Sequence, residues 1–470
     1  MSKFRIYFYL FFFLFTALVA STKAADAQSE TGHPVYIVQA GDTLSLIANR
    51  FGTTIESLVE LNKLENPNSL DIGDTLLIPG FEGIEGVLEI KAVPLGENIT
   101  TISRRQDISI INLVKLNRIT SPYQVCAGTS LIYPSDQTEE VFVQEKQVPF
   151  TGTMLEIAVM NKTTPWEIIE SNQVVNENNL IPGDLLYGVE NSINNEENAA
   201  RIESITMNPL PIHQGQTAVV QVITTGPFEI SGRFSDQTFQ FSNYGENTYI
   251  ALIGIPALIE PGLIGLQVQG YSDSIDSIDF FQQILVESGN FTQESIEGVD
   301  SSTIDPATIE QENQILQQVS GSSAIQQWTG LFQYPVDKPC PASLFGNRRT
   351  YNSGSYNFYH TGMDFTVCAE NLKIYAAAKG TVVFTGSLPI KGNFTIIDHG
   401  LGIFSGYAHQ SKTLVEVGQE VDQGQLIGEI GSTGRSVGPH LHWEIWVNHI
   451  PVDPQEWVTK IFPLNDPGNP

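Results

Sequence analysis

His360-Thr-Gly-Met-Asp364 and, far downstream, Gly438-Pro-His-Leu-His-Trp443 are the two stretches that decide how the C-terminal part of this chain reads. A His and a carboxylate four residues apart, joined by a second His from elsewhere, offer three ligands to a divalent ion. Three protein ligands with one open position distinguish a catalytic zinc site from a closed structural one. The pattern therefore points to a zinc hydrolase. His440 and His442 are two apart, so on a strand both side chains lie on one face and enter one cleft. If His360 and Asp364 are ligands, one of this pair completes the set and the other is left to handle protons, as is His409 in Tyr407-Ala-His409.

Around these motifs, short apolar runs alternate with glycines: Gly380-Thr-Val-Val-Phe, Phe394-Thr-Ile-Ile, Ile403-Phe-Ser-Gly-Tyr and Gln425-Leu-Ile-Gly-Glu-Ile. Tight turns and bends at glycine predict an antiparallel, curved sheet over residues 328–462. Phe345-Gly-Asn-Arg-Arg349, the two stretches above, Gly400-Leu-Gly-Ile-Phe, Tyr407-Ala-His409, Gly418-Gln-Glu-Val and Gly424-Gln-Leu-Ile-Gly428 together resemble the lysostaphin-type, LytM-like zinc endopeptidases of bacterial cell walls. The resemblance implies that His360, Asp364 and His442 hold one Zn2+, that His409 and His440 are catalytic, and that the substrate is a peptide bond in a peptidoglycan stem or cross-bridge. Relatives of this type that only bind the wall or activate an amidase typically lack one of these five residues. All five are present, which favours the enzyme over that alternative. Arg348 and Arg349 are read as candidates to orient substrate carboxylates or as ordinary ion-paired residues. His399 is expected in a turn or sheet, and His449 on the surface.

The N-terminal half carries a repeat. Asn62, Asn117 and Asn172 recur at an offset of 55, and Gly73, Gly128 and Gly183 and Leu76, Leu131 and Leu186 keep the same register. One offset held across so many positions indicates three copies of one module, over 34–80, 88–135 and 143–190. In the first copy Tyr36-Ile-Val reads as a strand, and Leu44, Ile47, Ala48 and Phe51 have helical spacing. A second helix over Thr54 to Asn62 and a closing strand before Pro79 complete a strand, helix, helix, strand unit. Tyr36-Ile-Val-Gln-Ala-Gly-Asp-Thr-Leu with Gly73-Asp-Thr-Leu-Leu-Ile-Pro79 closely resembles the LysM module, which implies binding to N-acetylglucosamine-containing glycans such as peptidoglycan. Gly96-Glu-Asn-Ile and Thr151-Gly-Thr-Met replace the Gly-Asp-Thr-Leu start, so the later copies are degenerate LysM-like modules, either glycan binders or spacers.

Between modules and peptidase, residues 205–288 show short apolar or alternating runs punctuated by turn residues, the pattern of an immunoglobulin-like β-sandwich. His213 stands there alone and reads as a surface or structural residue. Residues 289–327 read as a linker with one short helix, capped by Asp305, opened by Pro306 and carrying Ile309, Glu312, Ile315 and Leu316. The fold class is thus multidomain, α+β followed by all-β.

Lys3 and Arg5, an apolar stretch from Ile6 to Ala20, and small residues ending in Ala25-Asp26-Ala27 give residues 1–27 the order of a secretory signal. A retained anchor is the minority alternative, and no other stretch is long and apolar enough to span a bilayer. The expected location is secreted, extracellular or periplasmic, at the cell wall. A formal net charge of -29 excludes simple electrostatic binding to nucleic acid or an anionic membrane. Of only three cysteines, Cys340 and Cys368 bracket the first metal motif and have a disulfide open to them in an oxidising compartment, while Cys126 is left over.

Overall fold

The computed structural model describes residues 32–135, 146–147, 153–160, 163–171, 185–186, 202–319, 325–355 and 357–463, apart from short gaps at 68–69, 107, 122–123 and 273–274. The expected signal segment 1–27 and Asn172 lie outside the described residues. The chain divides into two compact units, one formed by residues 1–88 with 134–137, the other by 89–133 with 138–470.

The first unit contains β1 (Val35–Ile37), α1 (Leu44–Phe51), α2 (Ile55–Asn62) and β2 (Thr75–Leu77). Thr43 caps α1 by accepting from Leu46 N, and Thr54 caps α2 by accepting from Ser57 N, which satisfies orphan donors at each helix start. Leu44, Ile47, Ala48 and Phe51 are the buried face of α1, as their spacing requires. Asn62 explains its own recurrence. Its amide donates to Leu58 O and Leu77 O, both at 2.9 Å, and its carbonyl accepts from Leu77 N at 2.7 Å, stitching α2 to β2.

The second unit opens with the next copy: β3 (Val87–Ala92), which begins in the first unit, then α3 (Ile99–Arg105), α4 (Ile110–Asn117) and β4 (Ser130–Ser135). Asn117 repeats the stitch, donating to Leu113 O at 3.0 Å and Ile132 O at 2.7 Å and accepting from Ile132 N at 2.7 Å. Of the third copy, β5 (Lys146–Gln147), α5 (Met154–Met160), α6 (Pro165–Ser171) and β6 (Leu185–Leu186) are described, with β5 and β6 paired antiparallel.

A two-sheet β-sandwich follows, built from β7 (Ile202–Asn208), β8 (Ile212–His213), β9 (Thr217–Thr224), β10 (Glu229–Phe234), β11 (Gln237–Gln240), β12 (Ser242–Gly245), β13 (Thr248–Gly254), β14 (Gly262–Ser272) and β15 (Ile275–Glu287). The sheets run β11-β10-β14-β15-β8 and β12-β13-β9-β7. Ala218, Val220 and Val222 of β9 meet Phe234, Val268, Phe280 and Ile284 in the core between them. Val219, Ile250 and Leu252, on the opposite face of the smaller sheet, are buried in the core of the C-terminal domain. Burial on both faces is why β9 and β13 read as nearly continuous apolar runs. The second module is docked on this sandwich: Leu95 and Ala127 enter its core, Gly96 N donates to Gln282 Oε1 at 2.7 Å, and Leu285 N donates to Ala127 O at 2.8 Å.

The stretch expected as a linker does more than connect. β16 (Gln293–Ile296) leads through a 3₁₀ turn at Ser301–Ile304 to α7 (Pro306–Gln317), the helix expected from Asp305-Pro306. The C-terminal domain contains β17 (Pro341–Ser343), β18 (Arg348–Tyr351), β19 (Phe358–Tyr359), β20 (Met363–Thr366), β21 (Lys373–Tyr375), β22 (Gly380–Leu388), β23 (Gly392–Gly400), β24 (Ile403–Thr413), β25 (Glu420–Val421), β26 (Leu426–Ile430), β27 (His440–Val447), β28 (Ile450–Val452) and α8 (Pro454–Thr459). Its main sheet runs β17-β20-β27-β24-β23-β22-β25, and β16 pairs in parallel with β18, Glu294 beside Arg349. Cys340 and Cys368 are joined in a disulfide with a Cα–Cα distance of 6.2 Å, and Cys126 is free. Trp457 of α8 donates to Thr217 Oγ1 at 3.2 Å and Glu456 accepts from Thr217 N at 2.9 Å, fastening this domain to the sandwich.

Candidate metal centre

Strand register brings the motifs together. β20 pairs with β27 so that Asp364 stands opposite His442 and Thr366 opposite His440, while β24 on the other side of β27 sets Ala408 opposite His442. His360, just before β20, completes the group. His360 Nε2, Asp364 Oδ1 and His442 Nδ1 lie 2.8 to 3.0 Å from one another, and all three residues are buried. A tetrahedral zinc ion with bonds of ~2.0 Å spaces its ligands by about 3.3 Å, so the cluster closes to within a small adjustment of that geometry.

The far atom of each candidate ligand is held, which decides which atom faces the centre. His360 Nδ1 donates to Leu344 O at 2.8 Å, leaving Nε2 with its lone pair. His442 Nε2 lies 2.9 Å from Glu444 Oε1 and donates to it, leaving Nδ1 as the acceptor. Asp364 Oδ2 accepts from Arg349 Nη2 at 2.8 Å, leaving Oδ1 inward. Three lone pairs converging in a buried place repel unless a cation or protons lie between them, and carboxylate and carbonyl partners behind imidazole ligands are the usual support of metal sites. Burial pushes the His360 imidazole down to about 4, so at neutral pH it presents a lone pair. Burial alone would raise Asp364, but His360 and His442 hold it well below the usual carboxylate range.

The two further histidines flank this group. His409 takes a left-handed backbone conformation with φ 61° in a bulged stretch of β24, and its Nδ1 donates to Thr433 O at 2.7 Å. His440 Nδ1 donates to Gly438 O at 2.8 Å. The Nε2 of each is thus the lone-pair atom, and His440 Nε2 stands 3.8 Å from Asp364 Oδ1. The two rings are 4.7 Å apart, centre to centre. Burial, then the neighbouring His440 and His442, push His409 well below the ordinary histidine range. The group opens on a cleft of about 470 Å³, walled in part by Ile309, Glu312 and Leu316 of α7.

Several residues of this cleft depart from the sequence-based expectation or escape it. Arg349 takes the ion-paired one of its two expected roles, buried between Asp364 and Glu294 at 2.8 and 3.1 Å, but the residue it braces is the carboxylate of the candidate metal group. Glu294 also accepts from Asn347 Nδ2 at 2.6 Å. Glu444 receives Lys391 Nζ at 2.5 Å and the Thr361 hydroxyl, and Lys391 and His442 hold its carboxyl low against its burial. Glu312 is buried and accepts from Ile390 N at 2.6 Å and Lys391 N at 3.2 Å, seating α7 on the hairpin between β22 and β23. His440, His442 and Glu444 share one face of β27, so a period-two reading extended by one step finds Glu444. Nothing in the sequence announces the reach of Lys391 or Glu294. His399 lies in β23, buried, with both ring nitrogens bonded, and His449 is exposed. His213 pairs with Glu287 at 3.2 Å and is not among the residues that line the cleft.

Residues 358–454 match Peptidase family M23, and residues 36–79 and 93–134 match the LysM domain. The chain therefore carries a C-terminal M23 domain and two LysM domains, the second of them the copy read as degenerate. It is 40% identical over 122 residues to the peptidoglycan DD-endopeptidase ShyA of Vibrio cholerae, covering 26% of this chain and 28% of that protein. With the DD-carboxypeptidase/endopeptidase Mpg of Neisseria meningitidis it shares 41% identity over 95 residues, 20% of this chain and 22% of Mpg. A crystal structure of an M23 peptidase from Pseudomonas aeruginosa aligns with 26% identity, a TM-score of 0.39, and coverage of 53% of this chain and 94% of that one. The chain thus spans less than a third of the length of these two curated relatives.

Proposed function

We propose that this protein is an exported, zinc-dependent peptidoglycan endopeptidase held at its polymer by LysM domains. The observation that carries the reading is the group of three mutually close donor atoms, each with its far side fixed by a hydrogen-bond partner. His360, Asp364 and His442 would hold the zinc, which when bound supplies Lewis-acid chemistry that polarises the scissile carbonyl and acidifies water. His409 and His440 are the proton-handling residues. Each has Nδ1–H tied to a backbone carbonyl, so each keeps Nε2 ready to accept a proton and pass it to the leaving amine. Low proton affinity keeps His409 in its neutral, accepting form at pH 7.

The names of the relatives favour a DD bond, the link between two D-configured centres in a cross-linked stem, as the bond cut. Residues 1–27 act as the export signal, and among the described residues no helix is long and apolar enough to cross a membrane. The sandwich is an immunoglobulin-like spacer, and the third repeat a further LysM-like module. Intact site residues argue against the alternative of a purely wall-binding or amidase-activating protein. Incubating the zinc-loaded protein with cross-linked peptidoglycan, and reading released termini by mass spectrometry, tests the proposal. New D-alanine carboxyl ends that disappear with His442→Ala support it. A wall left intact by the zinc-loaded protein rejects it.

A further inference from the structure

Among the described residues, Arg349, Lys391 and Arg435 line the cleft, and their surroundings differ. Arg349 is saturated by Asp364 and Glu294, and Lys391 by Glu444. Arg435 also lines the cleft, yet among the described residues no carboxylate lies within ion-pair distance of it. Its guanidinium stacks at 4.4 Å over the ring of Tyr351 and 5.9 Å from that of Phe358, and Nη1 donates to Thr303 O at 3.2 Å. Glu312 and Glu444 act on it from a distance only, since the first is committed to backbone N–H groups and the second to Lys391 and His442. A half-buried cation that has lost part of its hydration and has no anion of its own is costly to maintain. The cost is repaid when a ligand brings the anion, and an aromatic plane behind the guanidinium presents its fork already oriented.

The loop that carries Arg435 is tied to the catalytic group. Arg435 N donates to Ile390 O at 2.8 Å, Thr433 O holds His409, and Ser436 Oγ lies 3.2 Å from His440 Nδ1. A ligand fixed on Arg435 is therefore placed relative to both proton-handling histidines.

We propose that Arg435 is a specificity-determining residue that binds a free carboxylate of the peptide flanking the scissile bond. The proposal rests on the peptidase reading and narrows its substrate to peptides carrying such a carboxylate. In a cross-linked stem this group is the terminal carboxylate of the peptide or the side-chain carboxylate of its diamino acid. One chemistry serves both, and amidation separates them.

The test uses the full-length, zinc-loaded protein and a cross-linked stem-peptide dimer in three forms: unmodified, amidated at the chain terminus, and amidated at the diamino acid. The wild type is expected to prefer the unmodified dimer over one amide by roughly 10- to 100-fold in kcat/KM, the scale of a charge-assisted contact. Arg435→Gln should erase that preference by slowing the unmodified dimer to the rate of the amide, and Arg435→Lys should keep part of it. The amide that behaves as Arg435→Gln does identifies the carboxylate. Equal rates for all three dimers with the wild type, or an equal loss on all three with Arg435→Gln, overturn the proposal. Should Arg435→Gln melt early, the wild-type comparison and Arg435→Lys decide. If no form is cleaved the peptidase reading has failed, and calorimetric binding of the same dimers then judges Arg435 by the same preference.

Discussion

The C-terminal domain buries imidazoles in two places, around His399 and around His360 and His442, and their polar atoms are arranged in opposite ways. Around His399, Nδ1 donates to Lys379 O at 2.8 Å, Nε2 lies 2.7 Å from the Ser405 hydroxyl, and that hydroxyl lies 2.9 Å from Tyr407 OH, which accepts from Ala377 N. Every polar atom of the ring has a neighbour along a line, and Phe332 packs its ring edge to face at 4.9 Å. Around His360 and His442, by contrast, the outer atoms are paired while the inner ones point at each other. Both His360 and His399 are pushed down to about 4 by burial, so depressed proton affinity does not tell them apart. Convergence of lone pairs does.

The hardest blow to this contrast is His442→Ala. Zinc stoichiometry and hydrolysis should both fall to the level of chelator-stripped wild type, whose activity zinc restores. His399→Phe should retain zinc and turnover, measured by metal analysis and peptide release. A variant His399→Phe that lost its metal would erase the distinction between the clusters. Next in size, His409→Ala should lower kcat by roughly 10²- to 10⁴-fold while zinc stays bound, because it removes a proton acceptor and leaves the ligands intact. Arg349→Met acts from behind Asp364. It should weaken zinc affinity by about 10- to 100-fold in a chelator competition.

The smallest effect separates the clusters by pH. Burial holds the folded His399 imidazole at a pKa of about 4, against 6.5 for a solvated histidine. Between these values the unfolded chain binds the extra proton, so stability falls as pH drops from about 6.5 towards 4 and is unaffected above. His399→Phe should flatten this part of a melting-temperature profile, after an initial cost of about 1–3 kcal/mol for unpairing its neighbours. A profile of unchanged slope would show that His399 does not carry that proton linkage.

Much of the site is legible in the sequence because its chemistry is local or periodic. His360 and Asp364 are four apart, His440 and His442 share a strand face, and Asn62 and Asn117 keep one offset because each performs the same three-bond stitch between helix and strand. That His442 rather than His440 faces Asp364 follows from register across β20 and β27, which spacing alone does not contain. Arg349 and the segment 289–327 exceed their sequence-based reading for a similar reason. Parallel pairing of β16 with β18 joins residues 55 apart, and a run of polar and acidic residues looks the same whether it is solvated or supplies a buried Glu294. The second module shows the limit from the other side: its core is readable, whereas its attachment through Gly96 and Ala127 to β15 depends on a neighbour far along the chain.

Glu294 lies outside the stretch recognised as M23, yet it grips the arginine that grips Asp364. The recognised stretch and the hydrogen-bonded unit around Asp364 therefore have different edges. A fragment cut at the recognised edge would keep His360, Asp364, His409, His440 and His442 and lose both Arg349 and Glu294, which brace Asp364 from behind. Such a fragment is expected to hold metal more weakly than the full chain, a difference that a chelator competition between the two would measure.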